Sequence, residues 1–476
     1  MPLRSGFALP LAAVLVAATL GVPASATHLP PEDMPPPEPT VVMSFLDTGI
    51  NPYHATFRDE ENPWSWEHPS TYIEGYPKDA IALDITLDEP DWKRAVQKDC
   101  ALWKSVEPGK LYWFPKTKII GAITFHPTLD IDCANVPNEP TRILDNGYGH
   151  GTMVASKGAS KEYGACKECR IVAVQIPHVP HTANIDALRW TADQPWVDLQ
   201  SNSWASLVPL YDPTATTSRR LASPALVRAA EETAQKIPSF WATMNGAMYQ
   251  GGTLGHPSAL APHLGPSIIA VGAHDSGYVT PWAGSGAHLA SDGCDSWAAS
   301  HMSTTISADT IGFGTSAATP FVAGGAANLM LESRRLLAKD LRTGVRPGGV
   351  LATGPPGLIA SGPLADGVLT VPEMREILLK TATERPTGTD VEDGPSCGIR
   401  PNLPQHQTLP VRWDELPEQF PEYAFIGYGA VDRAAMARGS QVLRGAAAIP
   451  DRADTDRYFV ADAQVRSAKY AALTEV

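Results

Sequence analysis

Four residues of the types that together cleave acyl bonds are scattered along the chain: Asp47, His150, Asn245 and Ser316. A serine hydroxyl is a poor nucleophile at neutral pH. It needs a base within hydrogen-bond reach, and that base needs a carboxylate to orient it. The oxyanion that forms needs donors already in place, a role suited to the Asn245 amide and the Ser316 backbone N–H. Each residue sits in a turn-prone setting: Leu46-Asp47-Thr-Gly, Gly149-His150-Gly-Thr, Asn245-Gly246 and Gly314-Thr-Ser316. Singly, each has an ordinary structural explanation as a turn acid, helix cap, turn pair or N-cap. Jointly they supply what acyl transfer requires.

The surrounding sequence has the elements to bring them together. The apolar run 41–46 ends at Asp47 and reads as a strand buried on both faces. Further strands are expected at 118–125, 170–176, 197–204, 240–244 and 267–272, interleaved with helices opening at His150 and spanning 184–192, 223–236 and 371–380. Short apolar strands alternating with amphipathic helices predict an α/β fold, three-layer α/β/α around a mostly parallel sheet. Such sheets carry their sites at the carboxyl ends of the strands. The stretch from Phe321 to Leu331 has no charge and reads as a core helix with Ser316 at its mouth. Gly324-Gly325 would let another backbone pack closely, and Pro320 is expected near the helix start, where N–H groups lack partners.

Composition sets the compartment. The 476-residue chain carries a net charge of −14, which disfavours nucleic acid and anionic lipid as partners. Residues 1–26 combine Arg4, an apolar stretch from Phe7 to Val22 and Ala24-Ser25-Ala26, the pattern of a secretory signal peptide. No later run is apolar enough to span a membrane. The expected product is a soluble, secreted protein. Six cysteines allow about 15 pairings. Proximity and elimination favour 100–133, 166–169 and 294–397 as structural disulfides. Residues 27–39 form a Pro-rich linker, 40–445 the main domain and 446–476 a C-terminal tail. Within the domain, 51–142 is a Trp-rich insertion, expected to be a surface addition with its own satellite hydrophobic cluster, the alternative being a substrate-contacting flap.

The stretches Leu46-Asp47-Thr-Gly-Ile-Asn, Gly149-His150-Gly-Thr-Met-Val-Ala, Ser201-Asn-Ser-Trp204, Asn245-Gly246 and Gly314-Thr-Ser316-Ala-Ala-Thr-Pro320 resemble those of the subtilisin-like serine proteases, the subtilases. The Asp, His, Ser order is the one subtilisin shows. The resemblance spans roughly 40–445. It implies a secreted serine endopeptidase in which Asp47 orients His150, His150 activates Ser316, and Asn245 stabilises the oxyanion. It also implies that Ser203, Trp204 and Ala205 form a strand that pairs with substrate backbone. No cofactor is implied for the chemistry, and structural calcium, common in the family, has no assignable site. Protein or peptide substrates are the implied partners. The alternative is a non-catalytic subtilase-like protein that binds peptides or partners. The chain departs from the family pattern in several places. Ala317 replaces a usual methionine, and Met244 replaces a glycine before Asn245. Asp47 and His150 stand 103 positions apart, and the 13 residues before Thr40 are too few for a folded inhibitory propeptide.

Overall fold

The computed structural model describes residues 34, 37–126, 133–134, 142–145, 148–177, 182–204, 206–208, 224–243, 245, 254–256, 267–275, 278–279, 287–294, 296–336, 363–364, 369–384, 411–412 and 427–452. The expected leader (1–26), Ala205, Met244, Cys397 and the tail beyond 452 lie outside them.

The first strand, β1, is Val42–Asp47, and the inserted region adds β2 (Ile81–Ala82), α1 (Trp92–Lys98), α2 (Cys100–Lys104), β3 (Tyr112–Trp113) and β4 (Ile119–Thr124). Then come α3 (His150–Ala159), β5 (Arg170–Gln175), α4 (Thr182–Asp193), β6 (Leu199–Asn202), β7 (Ser206–Val208), α5 (Pro224–Ala234), β8 (Ser239–Ala242), β9 (Leu254–His256), β10 (Ile268–Asp275) and β11 (Tyr278–Val279). The chain continues through β12 (Leu289–Asp292), β13 (Ser296–Ala299), β14 (Asp309–Gly312), α6 (Thr315–Leu336), α7 (Val371–Thr381), β15 (Val411–Arg412) and α8 (Arg433–Leu443).

Eleven strands form one sheet in the order β15-β11-β10-β8-β6-β1-β5-β4-β3-β2, with β12 also against β10. The seven strands from β4 across to β12 pair in parallel. Strand β1 lies in the middle, flanked by β5 and β6, so its last residue, Asp47, emerges at the centre of the carboxyl edge.

Side-chain alternation builds the layers. On β1, Met43 and Phe45 enter one hydrophobic cluster, together with Val154 of α3 and Val322 and Ala326 of α6. Val42 and Leu46 enter the other, together with Leu188 of α4 and Ala229 of α5. Because both faces are covered, the strands read as continuous apolar runs. This is the three-layer α/β/α arrangement. Helices α3 and α6 approach closely at Gly324, where an added Cβ would meet the Gly158 carbonyl at 2.5 Å. A buried ion pair, Arg334–Asp198, ties the far end of α6 to the sheet, and Asp198 also accepts from the Val42 N–H at 2.8 Å.

The insertion departs from expectation. Its tryptophans do not form a satellite cluster. Trp92 and Trp103 enter the same core as β1 and α6, and Trp113 enters the opposite one. The strands β2 and β3 extend the main sheet, so the insertion is continuous with the domain. Disulfides Cys100–Cys133 and Cys166–Cys169 are both formed. Among the described residues no helix is long and apolar enough to cross a membrane.

Candidate active site

Asp47 is buried at the end of β1, and its Oδ1 lies 2.7 Å from Nδ1 of His150, the first residue of α3. The Thr48 backbone N–H donates to the same oxygen at 2.8 Å. Contact through Nδ1 fixes the imidazole and directs its other nitrogen, Nε2, away from the carboxylate. Burial disfavours the imidazolium, but the charge and hydrogen bond of Asp47, aided by the charge of Asp145, outweigh it and raise the pKa of His150.

Asp145 was not singled out by sequence, yet it ties the two segments together. Thr48 Oγ1 donates to its Oδ1 at 2.6 Å, while Asp47 Oδ1 stands farther off, at 3.2 Å from the same hydroxyl. The N–H and Oγ1 of Thr152 both donate to Asp145 Oδ2 at 2.6 Å, and the Gly151 N–H donates to Thr48 Oγ1 at 2.9 Å. Burial pushes the Asp145 carboxyl up to about 6, although these donors favour its charged form. The signal was present in sequence: a hydroxyl residue follows both Asp47 and Gly151, and an acid stands five places before His150.

Ser316 opens α6 one residue after Thr315. Its hydroxyl donates to the Ser203 carbonyl at 3.2 Å, and the Ser203 hydroxyl donates to the Ser316 carbonyl at 2.9 Å. Helix α6 begins at Thr315, so Pro320 lies inside its second turn rather than among the unpaired first residues. A proline there deprives the carbonyl four residues earlier, that of Ser316, of its helical donor. Ser203 supplies the missing bond. Trp204 packs its ring against Trp241 in the core, 5.2 Å between centroids; β6 ends at Asn202, so Ser203 and Trp204 follow that strand instead of forming the strand expected at 203–205.

Asn245 is exposed beside this turn. Its Oδ1 accepts from both the N–H and Oγ1 of Thr315, each at 2.9 Å, so the side-chain amide is oriented with Nδ2 free to point elsewhere. Gly314, at φ +90°, makes room for it: a Cβ there would meet Asn245 Nδ2 at 2.4 Å. The four residues singled out by sequence thus lie on two hydrogen-bonded groups, Asp47 with His150, and Ser316 with Asn245 through Thr315. Packing of α3 on α6 joins the groups, with Met153 beside Gly312.

The family model for the subtilase family, Peptidase S8, matches residues 38–394. The chain belongs to the subtilase family. It is therefore a serine endopeptidase, a hydrolase whose substrates are proteins or peptides. Among curated proteins no sequence matches this subtilase. Solved structures do align with it. A cold adapted subtilisin-like serine proteinase superposes with a TM-score of 0.40 at 16% identity, covering 74% of this chain and 86% of its own. A mutant of the protease domain of PatA gives 0.44 at 15%, covering 86% and 97%. The prenylagaramide maturation protease PagA gives 0.42 at 15%, covering 86% and 95%.

Proposed function

We propose that this subtilase cleaves peptide bonds through an acyl-enzyme on Ser316. The observation that carries the reading is the 2.7 Å contact between Asp47 and Nδ1 of His150 at the carboxyl edge of the sheet, the geometry an orienting acid and a general base need. In the proposed first step the Ser316 hydroxyl leaves the Ser203 carbonyl and gives its proton to Nε2 of His150 as Oγ attacks the substrate carbonyl. Asp47 stabilises the imidazolium. The oxyanion accepts from Nδ2 of Asn245 and the Ser316 N–H, helped by the positive end of the α6 dipole. His150 then returns the proton to the leaving amine. Water, activated by the same histidine, attacks the acyl ester and releases Ser316 with a carboxylic acid product.

The proposed steps draw on these side chains, the Ser316 backbone N–H and water. Backbone of the segment around Ser203 and Trp204 would pair with extended substrate, and Ala205 continues that segment. We further propose export after removal of residues 1–26, a fate to which the two disulfides are suited. Cleavage of a peptide library, with sites read by mass spectrometry, tests the activity. Wild type should cut at defined sites and Ser316→Ala at none. Uncut peptides with the oxidised wild type would refute the reading.

A further inference from the structure

The edge of the sheet opposite the candidate active site holds a cavity of about 470 Å³, the size of a small-molecule site. Four segments enclose it: the linker 37–40, the insertion, the connection from α3 into β5, and Arg335 near the end of α6. Thr40 and Lys118 stand just before β1 and β4, and Arg170 opens β5, so the cavity lies at the amino ends of these strands. The six residues of β1 separate it from Asp47, a distance of about 20 Å.

Its charges do not balance. Five cations line it against four acids, Glu38, Asp59, Glu61 and Glu168. Asp59 serves both Arg170 and Lys161, and Lys161 also takes Glu61. Arg335 pairs with Glu168 and feels the charge of Glu38. Lys118 and Lys167 have no carboxylate partner among the described residues. Lys118 is 2% exposed, and its Nζ donates to two main-chain carbonyls, those of Ala159 and Lys167. A buried ammonium without a counter-charge is costly. Burial and the charges of Arg170 and Lys161 outweigh those of Asp59 and Glu168 and push the Lys118 amine down to about 7.

One wall is aromatic. Tyr72, 6% exposed, packs on Trp64 with 5.7 Å between ring centroids, and its hydroxyl bonds no described residue. Burial pushes that hydroxyl up to about 12, so it stays a donor at neutral pH.

We propose that this cavity binds a small organic carboxylate, its head group accepting from Lys118, Lys167 and the Tyr72 hydroxyl and its apolar body lying on the Trp64–Tyr72 rings. Five cations less four acids leave one positive charge. A carboxylate cancels it, whereas a phosphate monoester, at about −1.5 to −2, exceeds it. The ligand ties the four enclosing segments together and so stabilises the fold. Nothing in the site depends on Ser316 being a nucleophile.

Isothermal titration calorimetry on the full oxidised chain, with benzoate, acetate and phenyl phosphate, tests this. Benzoate should bind at one saturable site, about 10-fold more tightly than acetate because its ring is buried, and more tightly than phenyl phosphate. Benzoate keeps its charge above about pH 6, and no histidine is among the described residues that line the cavity. A bound anion favours the Lys118 ammonium, so benzoate affinity should fall about 10-fold between about pH 6 and 8. Tyr72→Phe and Lys167→Ser, which leave the Lys118 bonds in place, should each weaken benzoate about 5-fold at the lower pH. No saturable benzoate binding overturns the proposal. So does an affinity that is flat with pH, one that neither variant changes, or a phenyl phosphate bound more tightly than benzoate.

Discussion

The hydroxyl of Ser203 donates to the carbonyl of Ser316 at 2.9 Å, in the place where the N–H of residue 320 would stand if it were not proline. One strand end and one helix start are therefore locked by a bond that the proline makes necessary. Ser203→Ala would leave a buried carbonyl unpaired, at a cost of about 1–3 kcal/mol. Pro320→Ala restores the helical donor, so the double variant should recover most of that loss. Denaturant unfolding of the single and double variants measures the coupling. Strictly additive effects would contradict the account.

The raised pKa of His150 sets opposite pH trends for activity and stability. The base works when neutral, so the acid limb of kcat/KM should lie above the ordinary 6.5. A group whose folded pKa is raised contributes stability that is fully present below its unfolded pKa. That contribution disappears as pH rises through the folded value. The His150–Asp47 pair should therefore stabilise less across the window in which activity appears. Asp145→Asn removes a nearby negative charge and should move the acid limb to lower pH. A pH–rate profile of both proteins checks this, and a limb that stays put or moves upward contradicts it.

Gly314→Ala meets two obstacles, a φ of +90° and the Asn245 amide 2.4 Å from the new methyl. Strain of about 1–3 kcal/mol is expected. The displaced amide should lower kcat at least 10-fold while KM changes little, because Asn245 is assigned to the oxyanion rather than to the substrate ground state. Steady-state kinetics on a soluble peptide separate the two constants; a change confined to KM would remove Asn245 from the oxyanion role.

Arg334 and Asp198 are both buried and pair at the end of α6 remote from Ser316. Arg334→Met leaves the Asp198 charge without its guanidinium and should cost about 3–5 kcal/mol. Arg334→Met/Asp198→Asn should recover part of this. Chemical denaturation tests it, and a loss below about 1 kcal/mol for the single variant would contradict the assignment.

Sequence carried the parallel core well because both sides of that sheet are covered. Strands such as Arg170–Gln175 carry an unbroken apolar run, here Ile171 to Val174, and β1 ends on the very aspartate that the chemistry picked out. The hairpin Ser296–Gly312 was not legible: its strands are four residues each and mix exposed Trp297 with small residues, so no period stands out. Asp145 was missed for a different reason. Its local cue, an acid seven places before Thr152, is shared by many turns, and its other bond, to Thr48, spans 97 positions. The insertion was misjudged in placement rather than in kind, since tryptophan content announces burial without saying in which core.

The central claim is that His150 makes Ser316 a nucleophile, and covalent capture tests it most directly. Oxidised wild type, treated with a fluorophosphonate at neutral pH and mapped by mass spectrometry, should carry one adduct, on Ser316. Ser316→Ala should carry none, and His150→Ala should react far more slowly. A wild type that stays unlabelled, or whose adduct maps to another residue, would contradict the account.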